Sequence, residues 1–196
     1  MAKELTLMQK AEGVIRTPEK FFNSAKSEKS IKPAFIFNAV LTAFYVIVSY
    51  LIGIGTGDVP YSITGIVFGW VSSILLAFPM VGFFHLFVML LGGKNGFVST
   101  YKACIYASTV SLFMLIAMPF VGLGIAGMAI GGLITLAVLI WTIYVTVKGV
   151  SVLQKMSMWK SFAALVIAAV VALIIIAIVA ILFFMPVILA AIAAAA

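Results

Sequence analysis

Of the 196 residues, 65% are hydrophobic and only 9% charged, where a soluble domain carries about 25% charged residues. So few ionisable groups cannot cover a water-facing surface, and lipid must solvate most of the chain. Twelve Lys and Arg against five acids leave a net charge of +7, and the one cysteine, Cys104, excludes an intrachain disulfide.

The N-terminal 33 residues read as a basic, cytoplasmic, amphipathic segment. The apolar cluster Leu5 to Met8 is too short for a cleavable signal, so the first long apolar run is expected to serve as an uncleaved signal-anchor. Leu5, Met8, Ala11 and Ile15 recur at helical spacing. Thr17-Pro18-Glu19 is a helix start, with Thr as N-cap, Pro at the first position and an acid in the first turn. The helix after it puts Phe21, Phe22 and Ala25 near one face, ringed by Lys20, Lys26 and Lys29. An apolar stripe with lysines around it describes a helix in the cytoplasmic headgroup layer, a free tail being the plain alternative. Lys20, Phe21, Phe22, Lys26 and Lys29, together with Trp159, are the expected membrane-surface contacts.

Residues 34–196 follow as a transmembrane domain. A spanning helix needs about 20 apolar residues, and five segments qualify: about 34–54, 66–91, 101–118, 126–147 and 162–185. The fold class expected is all-α, a polytopic bundle of five transmembrane helices with an N-terminal interfacial helix. Pro60 and several glycines punctuate the first gap, Gly92, Gly93 and Gly96 the second, and Pro119, Gly122 and Gly124 the third. Pro79 inside the second span predicts a kink or tilt. Trp70 should mark the outer interface of that span. The connection from Lys148 to Lys160 puts Val152, Met156 and Trp159 on one face, like a second interfacial segment.

Charge sets the orientation. Seven basic residues precede the first span, Lys94 and Lys102 flank the second connection, and Lys148, Lys155 and Lys160 the fourth, which accounts for all twelve. Short cytoplasmic loops collect Lys and Arg, so the N-terminus is expected in the cytoplasm and the C-terminus outside. Only Asp58, among the acids, falls beyond the N-terminal segment.

No catalytic constellation is present. The spans contain no Asp or Glu for an aspartyl mechanism, His85 is the one histidine where a zinc mechanism needs two, and no GxSxG turn occurs. Gly92-Gly93-Lys94 fails as a phosphate loop, with Val88 where Gly is required and Asn95 where Ser or Thr is. The chain is therefore expected not to be an enzyme and to hold no cofactor or metal. The candidate site is instead a polar layer in the cytoplasmic half of the spans: Asn38, Thr42, His85, Tyr106, Ser108, Thr109, Thr142 and Tyr144. Its plain reading is interhelical hydrogen bonding, each bond worth about 0.6 kcal/mol. A lipid or small-molecule site, or an ion path, is the alternative and would make the chain a small transporter or channel. Small residues at four-residue spacing (Gly65 with Gly69, Gly127 with Gly131, and Ala164, Ala168 and Ala172) suit packing inside one bundle or an oligomer seam.

Thr17-Pro18-Glu19-Lys20-Phe21-Phe22, the block Gly92-Gly93-Lys94-Asn95-Gly96-Phe97 leading to Tyr101 and Tyr106, and Trp141 followed by Gly149 together resemble the Yip-domain family. These are Ypt/Rab-GTPase-interacting membrane proteins, and the likeness to their archaeal and bacterial branch is the greater. It covers about residues 12 to 185. The resemblance implies five spans with a cytoplasmic N-terminus, in a prokaryotic cell membrane, and a non-enzymatic role organising membrane or recruiting partners. Eukaryotic members act in vesicle traffic as partners of prenylated GTPases and membrane-shaping proteins. They carry a much longer cytoplasmic N-terminal region than the 33 residues here, a departure that makes a GTPase partner doubtful. The partners expected are the bilayer and its anionic headgroups, and no nucleic acid.

Overall fold

A computed structural model describes residues 5–56 and 62–195, leaving aside the side chains of residues 184 and 186–195. Lys3, Glu4 and Asp58 lie outside the described residues. Helix α1 (Leu7–Arg16) starts in a capping box. Thr6 Oγ1 accepts from the Gln9 N–H at 3.3 Å and Gln9 Oε1 from the Thr6 N–H at 3.0 Å, so two otherwise orphaned donors are satisfied. Helix α2 (Pro18–Ala25) follows after Thr17 alone, with Pro18 in the first turn. Thr17 does not cap it. That residue also closes α1, its N–H donating to Gly13 O at 3.0 Å and its hydroxyl to the same carbonyl at 3.5 Å. One residue between two helices cannot serve both ends with one side chain.

Four longer stretches follow, and among the described residues these are the ones long and apolar enough to cross a membrane: 32–56, 63–90, 97–154 and 158–183. Helix α3 (Lys32–Thr56) leads to α4 (Ile63–Leu90), whose N-terminus is capped by Ser62 and which continues through Pro79. The expected spans 101–118 and 126–147 both fall inside the third stretch. It comprises α5 (Phe97–Ala107), a 3₁₀ segment (Ser108–Phe113), α6 (Met114–Ala117), a second 3₁₀ segment (Met118–Leu123) and α7 (Gly124–Gln154). The backbone tightens where hydroxyls compete for its carbonyls: Ser108 bonds Ile105 O, Thr109 bonds Tyr106 O and Ser111 bonds Ser108 O, each three residues back.

As one straight helix these 58 residues would run about 87 Å at 1.5 Å per residue. They do not, because the chain reverses at Gly124, where φ is +70°. Helices α5 and α6 and both 3₁₀ segments then pack along α7. Gly127 and Gly131 are buried at this seam, facing the carbonyls of Phe120 and Ala117. Ala164 and Ala168 are likewise buried within the chain, whereas Gly69 has open space around it.

The connection expected from Lys148 to Lys160 is much shorter. Helix α7 continues to Gln154, stops with Lys155 in the left-handed region, and α8 (Met158–Ala195) begins after Ser157. Ser151 closes this turn: its carbonyl accepts from the Met156 N–H at 3.1 Å and its hydroxyl donates to Met156 O at 2.8 Å.

The core gathers where α1, α2, α5 and the end of α7 meet. Tyr101, Tyr106, Phe22, Leu153 and Gln154 are its largest fully buried side chains. Phe21 and Phe22, expected in the headgroup layer, belong to this core instead. Phe21 stands edge-on to both Phe22 and Tyr106, with ring centroids 5.3 and 5.1 Å away. The inward face of α1 is Lys10 and Val14, while Leu5 and Met8 of the expected stripe are exposed. Trp70 of α4 donates its indole N–H to the Ala39 carbonyl of α3 at 3.0 Å. Farther along α7 and α8, Leu133, Leu173, Ile176 and Leu182 point outward, as apolar solvent requires.

Candidate functional site

Two polar clusters occupy the end of the bundle where the basic residues lie. The first holds the N-terminal segment down. Lys10 Nζ of α1 donates to Glu28 Oε1 at 2.6 Å and to the Tyr106 hydroxyl at 3.1 Å, and that hydroxyl donates to Glu28 Oε2 at 2.6 Å. The ammonium also lies 5.2 Å from the centroid of the Tyr106 ring, within cation–π range. The ion pair is largely withdrawn from solvent, with side chains 9% and 19% exposed. Lys102 of α5 adds a second clamp. Its buried ammonium donates to the backbone carbonyls of Ala25 at 3.1 Å and Glu28 at 2.6 Å. A cation on the last carbonyl of α2 complements the helix dipole, and the same ammonium holds the turn that follows through Glu28 O.

Phe22 completes the docking by lying flat on α7. A Cβ placed on Gly149 would come within 2.6 Å of the Phe22 ring, so only glycine lets the helix backbone receive that ring. At the edge of the same contact Lys148 pairs with Glu19 of α2 at 2.8 Å.

The second cluster closes the two connections on one another. Gln154, fully buried, accepts from the Asn95 N–H at 2.8 Å. Its Nε2 donates to Gly96 O at 3.2 Å and to Thr100 Oγ1 at 2.8 Å. The Lys94 N–H donates to Gln154 O at 3.1 Å, and the Asn95 side chain donates to Leu153 O. Gly92, with φ +96°, provides the left-handed turn that brings residues 94–96 here. His85 joins through Thr100, its Nδ1 being 2.8 Å from Thr100 Oγ1. Thr100 thus stands between Gln154 and His85 and ties the histidine to this cluster.

The expected polar layer is thus brought together only in part. His85 and Tyr106 sit in two different clusters. Asn38 Nδ2 and the hydroxyl of Tyr101, on α5, are both buried and lack a partner among the described residues. Thr42, Ser108, Thr109 and Thr142 each donate to a carbonyl of their own helix, at 2.7 to 2.8 Å. Tyr144 lies beside Trp141 with ring centroids 5.2 Å apart and planes tilted by 32°, on an exposed face. Of the expected surface contacts, Lys20, Lys26, Lys29 and Trp159 are exposed, and Phe21 and Phe22 are not. Sequence reasoning missed Lys10, Glu28, Thr100, Lys102 and Gln154. A signal existed for one of them: Lys102 is a charged side chain set within a helix that is otherwise uncharged from Phe97 to Ala107.

Chemically, these clusters join elements; their donors and acceptors are taken up in binding one part of the chain to another. Residues 13–181 match the family model of the Yip1 domain. No curated protein and no solved structure gives a significant match.

Proposed function

The chain belongs to the Yip1 domain family and is a multi-pass integral membrane protein, and from that premise we propose a non-enzymatic platform that organises the bilayer or recruits partners at the cytoplasmic face. The observation that carries this reading is the docked N-terminal segment. Lys10, Glu28, Lys102 and Tyr106 fix α1 and α2 on the bundle, leaving Lys20, Lys26 and Lys29 outward at the basic end. Lysines at headgroup level favour an anionic leaflet by about 1 kcal/mol each.

Five crossings suit this geometry. The reversal at Gly124 makes two arms of the third stretch, each longer than the ~20 residues a span needs, and every described Lys and Arg then falls on one side. That side is the cytoplasm by the distribution of positive charge. In a Cys104→Ala background, Asp58→Cys should react with an impermeant maleimide from outside intact cells. Lys94→Cys, chosen because Lys94 is exposed while Asn95 is engaged, should react only after permeabilisation. The reverse pattern overturns the orientation. For the platform itself, reconstitution at rising protein-to-lipid ratio should shift vesicle diameters while an imposed proton gradient holds. A leak abolished by His85→Leu would establish the transport reading in its place.

A further inference from the structure

A groove of about 520 Å³ lies between α7 and α8 at the basic end. Ile140, Ile143, Tyr144 and Val147 form its α7 wall and Met158, Trp159 and Phe162 its α8 wall. The α7 wall uses residues at i, i+3, i+4 and i+7, a continuous strip about 10 Å long. All of it is apolar except the Tyr144 hydroxyl, and it meets polar chemistry at one end only. There Lys148 Nζ stands 4.0 Å from Met158 Sδ, so a cation marks the mouth. Trp159, 80% exposed beside it, is a side chain that prefers the headgroup level. Lys155 and Lys160 are exposed on the adjoining turn and first turn of α8. Among the described residues the carboxylate paired with Lys148 is that of Glu19, which is itself 64% exposed and so free to be displaced.

We propose that this groove holds one anionic phospholipid, with an acyl chain along the α7 strip and its phosphate on Lys148 in competition with Glu19. Charge complementarity selects the occupant: an apolar slot ending at the Lys148 ammonium fits an acidic headgroup, and a zwitterionic lipid would bring its own cation to the same place. Bound lipid and docked α2 share Lys148, so the two are linked: lipid that takes the lysine loosens the outer edge of the N-terminal segment. The inference rests on the proposed orientation, since anionic lipid is concentrated in the cytoplasmic leaflet.

The test is native mass spectrometry of the full-length protein in detergent, titrated with phosphatidylglycerol or with phosphatidylcholine of the same chains. Phosphatidylglycerol should be retained as a single tight adduct and phosphatidylcholine more weakly. Lys148→Ala should weaken the phosphatidylglycerol adduct about fivefold, the loss of one surface charge. Glu19→Gln should strengthen it, because the competitor is gone. Ile143→Trp, which fills the slot without removing charge, should abolish it, and an unchanged melting temperature shows that the bundle remains folded. Equal retention of the two lipids, or indifference to both Lys148→Ala and Ile143→Trp, overturns the site. A lipid-free species of twice the chain mass lost in Ile143→Trp would assign the groove to a second copy instead. These readouts need neither vesicle shape nor flux, so the site can fail while the platform stands, and the reverse.

Discussion

At the basic end of the bundle Lys10, Glu28, Tyr106 and Lys102 draw α1 and α2 onto α5, and Gln154 ties two connections together. Toward the other end, α7 and α8 present Leu133, Leu173, Ile176 and Leu182 to the outside, and backbones approach closely at Gly127 and Gly131. Lipid supplies no hydrophobic drive between helices, so a bundle is held by close approach and by polar groups with no better partner. The far half uses the first means and the basic end adds the second. Stability and specificity of arrangement should therefore reside at the basic end, where water can also compete.

Breaking the ion pair should have the largest effect. Glu28→Ala leaves Lys10 buried without its counter-charge and strips an acceptor from Tyr106. Removing one partner of a buried pair costs about 3–5 kcal/mol. The chain can limit that loss by releasing α1, whose own contacts then define the ceiling. We expect a lowered melting temperature in detergent together with rapid hydrogen exchange across residues 7–28. The control is on the same helix: Arg16 and Glu12 form an exposed pair at 3.1 Å, and Arg16→Ala should cost below about 1 kcal/mol. Equal effects at the two sites would mean that the N-terminal segment is not docked in solution.

Gln154→Ala should come next, at about 1–3 kcal/mol. The substitution leaves the Asn95 N–H and the Gly96 carbonyl without their partner, and a buried group left unpaired costs its full desolvation. Exchange at Asn95 and a drop in melting temperature measure it. An exchange rate unaltered at Asn95 would show that the two connections do not depend on this latch.

The difference between the two regions also explains what could be read from the chain in advance. Apolar run lengths and the placement of Lys and Arg are properties of neighbouring residues, and they foretold an all-helical membrane protein and its basic end. The turn at Gly124 is visible as Pro119, Gly122 and Gly124 and reads as a gap, yet helical structure continues through Leu123 to the reversal itself. Docking of the N-terminal segment was not legible for another reason. Lys10 meets Tyr106 across 96 positions and Glu28 meets it across 78, and periodicity carries no information about pairs so far apart. Phe21 and Phe22 had the pattern of a membrane-facing stripe, which is equally the pattern of a helix face that packs on protein. Only the absent side chain of Gly149 distinguishes them, and its meaning appears once Phe22 lies upon it.

His85 gives the smallest expected effect and the sharpest division between the two readings of function. Its Nδ1 bonds Thr100, which Gln154 also holds, so it stands at the edge of the latch. His85→Asn keeps a side chain able to hydrogen-bond Thr100 and should be close to neutral. His85→Leu removes that bond and should cost about 1 kcal/mol, because hydrogen bonds within membranes average well below what hydrocarbon burial suggests. Thr142→Val sets the zero of the scale. That hydroxyl bonds only Val138 O of its own helix, and its loss should stay within about 0.5 kcal/mol. The ordering by melting temperature is therefore Thr142→Val and His85→Asn near wild type, then His85→Leu below both. A histidine in a transport path behaves otherwise, since it is the one side chain in this sequence that ordinarily titrates near neutrality. Both His85 variants would then abolish a pH-dependent flux in proteoliposomes while leaving melting unchanged. Loss of flux without loss of stability would break the contrast between the two ends, because polar groups at the basic end would be serving a pathway rather than holding the bundle together.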